Sequence, residues 1–309
     1  MQGIKEIAHY IPEDVHSNLE SSRLERFAVT QQFVKEKIGV LQRPRLGEDQ
    51  DTSDIALLAL QKLLKKAGIK PEDIDVLVVV TQNPDTNLPH VSALVHGKAG
   101  LRDDCAAFDV GLGCSGYVYG LSIISSFMYS NSMHMGVLVT ADPYSKIVDP
   151  EDKNTSLLFG DAATATLISD DPLYSIGPFT FGTSGSMSHA LTCSDQRLCM
   201  NGREVFNFTA LGVPKDIENL LQKTGIDKKN IDLFVLHQGS RYIVDTIRKR
   251  LQVPVERVPV ELADTGNTVS SSIPLVLEKR LNDPSLKTIL LSGFGVGLSW
   301  ASCICKRER

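Results

Sequence analysis

The sequence predicts an α/β protein assembled from two similar halves. Three observations carry that expectation: an internal repeat, β-branched runs suited to covered strands, and alternating helical and strand patterns along the chain. Residues 63–80 read LLKKAGIKPEDIDVLVVV, and residues 220–237 read LLQKTGIDKKNIDLFVLH. The offset, 220 − 63 = 157, is close to half of the 309 residues, and eight positions are identical, among them Gly68/Gly225, Ile74/Ile231 and Asp75/Asp232. Each copy reads as a helix stopped by glycine, a polar turn and a buried strand. The period is far beyond solenoid repeats, so duplication of an α/β half accounts for it. The expected halves are residues 1–170 and 171–309.

In chain order, Ser53 is placed to cap a helix running through Lys66. Val76 to Val80 is nearly all β-branched, as a strand covered on both faces requires. Ala106 to Val110 reads as a short strand, followed by a glycine-rich turn and a helix that opens at Cys114. From Tyr117 to Met128 that helix is apolar on almost every side, so it is expected to be buried. Val137 to Thr140 and Ala163 to Ile168 read as further strands. Residues 171–203, rich in Ser, Gly, Thr and Pro, read as a loop or a short hairpin joining the halves. Val213 to Lys223 is expected to be helical and Leu233 to Leu236 a strand. Thr288 to Leu291 and Leu298 to Cys305 close the chain as a strand pair around Gly293-Phe294-Gly295-Val296-Gly297.

Composition narrows the function classes. Hydrophobic residues make up 42% and charged residues 22%, an ordinary globular mix, and a net charge of −5 argues against broad nucleic-acid binding. No apolar run reaches the roughly 18 residues of a membrane span, and Met1-Gln2-Gly3-Ile4-Lys5-Glu6 lacks the apolar core of a signal peptide. A soluble, cytoplasmic protein without membrane or nucleic-acid partners is expected. None of the cysteines (Cys105, Cys114, Cys193, Cys199, Cys303 and Cys305) forms a C-x-x-C pair, so neither a zinc site nor disulfides are expected. Cys303 and Cys305 alternate on the last strand and share a face; Cys105, Cys193 and Cys199 sit in no motif.

Three segments carry chemistry. In the first, Cys114 stands where a buried helix begins, near unpaired backbone N–H groups and the positive end of the helix dipole. That setting favours the thiolate, the nucleophilic form. The second is Leu236-His237-Gln238-Gly239, just beyond the strand of the second repeat, where α/β sheets bind ligands. The other histidines have no comparable setting. The third, Asp264-Thr265-Gly266-Asn267-Thr268-Val269-Ser270-Ser271-Ser272-Ile273-Pro274, combines a Gly-Asn turn with small residues that permit close packing.

Together these segments resemble the β-ketoacyl-acyl-carrier-protein synthase III family of the thiolase superfamily, over nearly the whole chain. The family's Cys-His-Asn triad maps onto Cys114 in FDVGLGCSGY, His237 in LHQGS and Asn267 in TGNTVSSSIP. Asp149 to Asp152, Phe159 to Ala163 and the closing GFGVGLSW also match. The resemblance implies a thiolase fold, with the two halves stacked as α-β-α-β-α, and a homodimer. It implies an acyl-coenzyme A donor, a malonyl-acyl carrier protein acceptor and no cofactor. Cys114 would be acylated, with its own N–H and that of Val296 as the oxyanion hole. His237 and Asn267 would stabilise the enolate formed as malonate loses CO₂.

For substrate contacts the resemblance points to Phe33 and Lys37 where the family carries Trp and Arg against the nucleotide, and to Phe108 and Leu88 for the acyl channel, Leu88 at the dimer interface. The basic run Arg248-Lys249-Arg250 can dock an acidic carrier or be a solvated helix face. The chain departs from the family at Gly239-Ser240 after His237-Gln238, at Val296 where Gly is common, and at Tyr242 where Arg is frequent. These departures bring in an accessory synthase of a specialised lipid or secondary-metabolite pathway, including acyl transfer without decarboxylation. A cysteine hydrolase and a catalytically silent subunit are the rival classes. Acylation by acyl-coenzyme A and CO₂ release from malonyl carrier discriminate among them.

Overall fold

The computed structural model describes residues 2–308; Met1, part of the segment read for a leader, lies outside them. The first half of the chain forms β1 (Gly3–Tyr10), β2 (Asp14–Ser17), α1 (Ser21–Arg26), α2 (Gln31–Phe33), β3 (Gln42–Arg45), α3 (Thr52–Ala67), β4 (Val76–Val80), α4 (Val91–Ala99), β5 (Ala106–Val110), α5 (Gly116–Ser130), β6 (Met135–Ala141), α6 (Lys153–Ser156) and β7 (Ala163–Ser169). The second forms β8 (Tyr174–Thr183), β9 (Leu191–Ser194), β10 (Arg197–Met200), α7 (Gly202–Thr224), β11 (Leu233–Leu236), α8 (Arg241–Leu251), α9 (Ser272–Glu278), β12 (Thr288–Gly295) and β13 (Ser299–Arg307).

The large sheet has the order β11-β12-β13-β8-β1-β7-β6-β4-β5. Its two parts meet where β1 touches β8 through only two residue pairs, Gly3↔Ser175 and Ile4↔Tyr174. A Cβ at Gly3 would stand 2.1 Å from the Tyr174 carbonyl oxygen, so only glycine fits this join. Side-chain alternation sorts the core into layers. Val76, Val78 and Val80 of β4 face inward together with Leu233 and Val235 of β11. Leu77 and Val79 face the α3 and α4 side, whereas Phe234 and Leu236 face the α7 and α8 side. α5 and α9 pack between strands of both parts. The result is α-β-α-β-α, the thiolase-like arrangement that the resemblance implies. Cys303 and Cys305 share the inward face of β13, as read from the sequence.

Both repeat copies form the expected unit. α3 ends at Gly68 (φ +67) and α7 at Gly225 (φ +66), both left-handed caps, and each leads into a short turn and a buried strand. Three expectations are corrected. Asp51, not Ser53, caps α3: its side chain accepts from Thr52 N at 2.7 Å, and Asp54 accepts from Asp51 N at 2.9 Å. Ser53 instead donates to Asp85 Oδ2 at 2.6 Å. Residues 171–203 hold the ten-residue strand β8 as well as a hairpin, β9–β10, turning at Asp195 and Gln196 with φ of +49 and +57. Gly177-Pro178 masked the strand pattern of β8. α7 begins at Gly202, about three turns before the expected start, and carries Pro214 inside it. Among the described residues, no helix is long and apolar enough to cross a membrane.

Candidate active site

The helix after Cys114 opens at Gly116, so the cysteine lies in the turn just before it, 5% exposed. The glycine-rich end of β12 presses against this turn. A Cβ at Gly295 would lie 2.7 Å from Cys114 Cβ and 2.9 Å from its sulfur, and one at Gly293 would lie 2.7 Å from the Cys114 carbonyl oxygen. Ser115 Oγ and Ser299 Oγ are 2.6 Å apart, and Ser299 Oγ donates to the Val296 carbonyl at 2.9 Å, so the two segments are pinned together. The backbone N–H groups of Cys114 and Val296 both face the sulfur.

The sulfur's ionisation corrects the sequence reading. Burial pushes the Cys114 thiol well up, and the Asp142 carboxylate pushes the same way; the two N–H groups only partly offset them. The buried surroundings favour the thiol over the thiolate. Asp142 is itself fully buried and raised to about 6, chiefly by burial, while accepting from Gln82 N at 2.6 Å and Ser270 Oγ at 2.5 Å.

His237 extends the β11 ladder, donating its N–H to Ser292 O at 2.9 Å. Its Nδ1 is 2.7 Å from Ser272 Oγ at the start of α9, and its ring meets Phe294 edge-on at 5.4 Å. Burial lowers its pKa to about 3, against a smaller raising effect of the Val269 backbone, so the ring is neutral. Asn267 is tied by its backbone to the stretch at Phe159: its N–H donates to Leu158 O at 2.8 Å, and Gly160 N donates to its carbonyl at 3.1 Å. Its Oδ1 accepts from Val269 N at 2.9 Å, which leaves the amide NH₂ as the free end. Val269 adopts φ +53, a strained conformation for a β-branched residue, in the turn that holds this carboxamide.

Cys114, His237 and Asn267 line one cavity of about 520 Å³, in the range of small-ligand sites. Tyr144, Phe159, Leu191, Met200 and Val205 make much of its apolar wall. Phe33 and Lys37 also line it; Phe33 is 41% exposed, and Lys37 Nζ stands 4.9 Å from the Tyr242 ring, which in turn stacks on Phe206 at 5.1 Å. Four expected contacts are not brought to this cavity. Leu88 is 86% exposed, Phe108 packs on Phe127 at 5.3 Å beside the central core, and Lys249 and Arg250 are exposed in the last turn of α8. Sequence reasoning missed Lys153, whose Nζ lies 5.9 Å from the Phe33 ring, and the wall contributed by β9, β10 and α7. The hairpin, one of the two readings of residues 171–203, and the first turns of α7 carry no motif that marks them as cavity wall. Among the described residues, no group of three His, Cys, Asp or Glu can hold a metal ion.

The family model for 3-oxoacyl-(acyl-carrier-protein) synthase III matches residues 108–185, and that for its C-terminal part matches residues 221–307. The chain is 33% identical over 306 residues to β-ketoacyl-(acyl-carrier-protein) synthase III 1 of Halalkalibacterium halodurans, covering 97% of this chain and 96% of the relative. A crystal structure of a 3-oxoacyl-(acyl-carrier-protein) synthase III superposes with a TM-score of 0.92 at 34% identity, covering 99% of both chains. The priming β-ketosynthase of a polyketide biosynthetic pathway superposes with a TM-score of 0.88 at 27% identity, covering 99% of this chain and 96% of its own. With 165 residues under the two family models and full-length relatives at a third identity, the chain belongs to the β-ketoacyl-acyl-carrier-protein synthase III family.

Proposed function

We propose that this condensing enzyme of the acyltransferase type takes an acyl group from acyl-coenzyme A onto Cys114 and joins it to a malonyl-acyl carrier protein. The observation that carries the reading is the convergence of Cys114, His237 and Asn267, from three distant segments, on one cavity. Cys114 sulfur attacks the thioester carbonyl, and its proton ends on the departing coenzyme A sulfur. The N–H groups of Cys114 and Val296 lower the cost of the thiolate and then bind the oxyanion. Malonate next loses CO₂. In the tautomer in which the Ser272 hydroxyl donates to His237 Nδ1, 2.7 Å away, the ring's own N–H lies on Nε2. That N–H and the Asn267 amide stabilise the enolate, whose carbon attacks the acyl-Cys114 and releases the sulfur.

Phe33, Lys37 and Lys153 at the cavity mouth suit the nucleotide and phosphates of coenzyme A. Lys249 and Arg250, exposed on α8, suit an acidic carrier protein. β5 is the free edge of the large sheet and Leu88 is exposed; both support a homodimer in which Leu88 serves the partner's acyl channel. Residues 1–170 then carry the nucleophile and 171–309 the imidazole and carboxamide. Incubation with acyl-coenzyme A is expected to raise the intact mass by one acyl group in wild type and not in Cys114→Ala. Malonyl carrier is then expected to release CO₂ and clear the adduct. An unchanged mass in wild type overturns the reading. A second reading, acyl transfer in a specialised pathway, is favoured by the Lys37–Tyr242 contact, which stands where family members carry arginines. It predicts adduct formation without CO₂ release.

A further inference from the structure

Phe159 lines the large cavity and also a much smaller one, of about 10 Å³, on which Arg23, Arg43, Arg45, Ser145 and Ser156 converge. Arg43 is 4% exposed; its Nε donates to Asn18 Oδ1 at 2.8 Å, but its buried Nη2 has no partner. Ser156 is 2% exposed, and its buried hydroxyl has no partner either. Arg23 reaches only the Ser156 carbonyl, at 3.4 Å, and Arg45 makes no side-chain hydrogen bond or ion pair among the described residues. Among the described residues, the carboxylates whose charge reaches Arg43, Asp161 and Glu20, form no ion pair with any of the three guanidinium groups. Asp161 accepts from Leu46 N at 2.7 Å and from Ser145 N at 3.1 Å, and Glu151 pairs with Arg26 at 2.9 Å. Thus three guanidinium groups meet without a carboxylate in contact. Burial, and then the charges of Arg23 and Arg45, bring Arg43 down to about 9 against smaller raising effects of Asp161 and Glu20.

We propose that this small cavity is a binding site for a halide-sized monovalent anion, held by Arg43 Nη2 and the Ser156 hydroxyl and surrounded by the Arg23 and Arg45 guanidinium groups. The space open to a water-sized particle, about 10 Å³, suits a small anion better than phosphate or sulfate. Water can satisfy the two unpaired donors, but an anion also offsets the mutual repulsion of the three guanidinium groups. The site is independent of the acyl-transfer reading, although it backs onto it: the Phe159 backbone bridges to Asn267.

Crystals of the full chain grown without halide and soaked in bromide are expected to show an anomalous peak within hydrogen-bond reach of Arg43 and Ser156. In solution, gluconate is replaced by bromide at constant ionic strength. The melting temperature is expected to rise by about 2 °C per tenfold bromide above half-saturation. Ser156→Ala and Arg45→Gln remove that rise while the proteins remain folded, so the test stands even where Arg43→Met does not fold. No anomalous peak together with equal melting temperatures in both salts overturns the site. A rise with sulfate and none with bromide overturns the halide assignment.

Discussion

The two copies of the helix–glycine–strand unit share a scaffold and end differently. In the first, β4 finishes at Val80, whose side chain lies under α5: a Cβ on Gly116 would stand 2.4 Å from Val80 Cγ1. In the second, β11 finishes at Leu236, and the next residue, the counterpart of Val80, is His237 in the cavity wall. One copy therefore supports the helix behind Cys114, and the other delivers an imidazole. The glycine caps and buried strands are kept because packing demands them. The residue at the strand's end is free to change because it faces the site.

Crowding each group tests this difference most strongly. Gly295→Ala puts a methyl 2.9 Å from the Cys114 sulfur and is expected to slow acylation by about 100-fold, read by intact-mass kinetics. Gly239→Ala meets only ordinary contacts, 3.6 Å from the His237 ring, and is expected to change condensation by about two-fold or less. Comparable losses would mean that sulfur and imidazole sit in equally tight surroundings.

Acid stability gives a smaller effect. His237 is lowered from 6.5 to about 3 in the folded protein, so between these values the unfolded chain binds a proton that the folded one refuses. Stability contributed by the neutral ring is present above pH 6.5 and falls by about 1.4 kcal/mol per pH unit as the pH drops toward 3. Asp142, raised to about 6, adds an opposite slope below pH 6, so in urea titrations from pH 6.5 to 4 His237→Gln is expected to differ from wild type by the His237 slope, its stability rising relative to wild type as the pH falls. The Val80 counterpart has no titratable group, so Val80→Ala is expected to keep the wild-type slope. The smallest effect belongs to the shared scaffold. Gly68→Ala and Gly225→Ala add a Cβ that meets nothing within 4 Å, so only the left-handed backbone opposes it. Each is expected to cost about 1 kcal/mol in chemical denaturation. A large inequality would break the equivalence of the two units.

The scaffold was legible because its causes are local. Glycine at a left-handed cap, a β-branched run and the 157-residue offset can all be read without coordinates. Cys114, His237 and Asn267 were legible because each sits in a distinctive turn next to a buried element. The cavity wall was not. Leu191 and Met200 reach it from a four-residue strand each, and Thr209 from a helix whose first turns carry no clear apolar period. Nor was the state of the sulfur legible, since a helix start argues for a thiolate while burial and Asp142, seen only in three dimensions, argue for a thiol. Leu88 and Phe108 show the same limit: their apolar character was clear, but where each one packs depends on the assembled fold.

The most direct measurement separates the two half-reactions in His237→Ala. The variant is loaded with acyl-coenzyme A, its mass is followed, and CO₂ release from malonyl carrier is then timed. Acylation of Cys114 within a few-fold of wild type, with CO₂ release slowed by about 100- to 1,000-fold, is the outcome expected if the halves divide the labour. Acylation and CO₂ release falling together would contradict it, because the imidazole would then be acting on the sulfur itself.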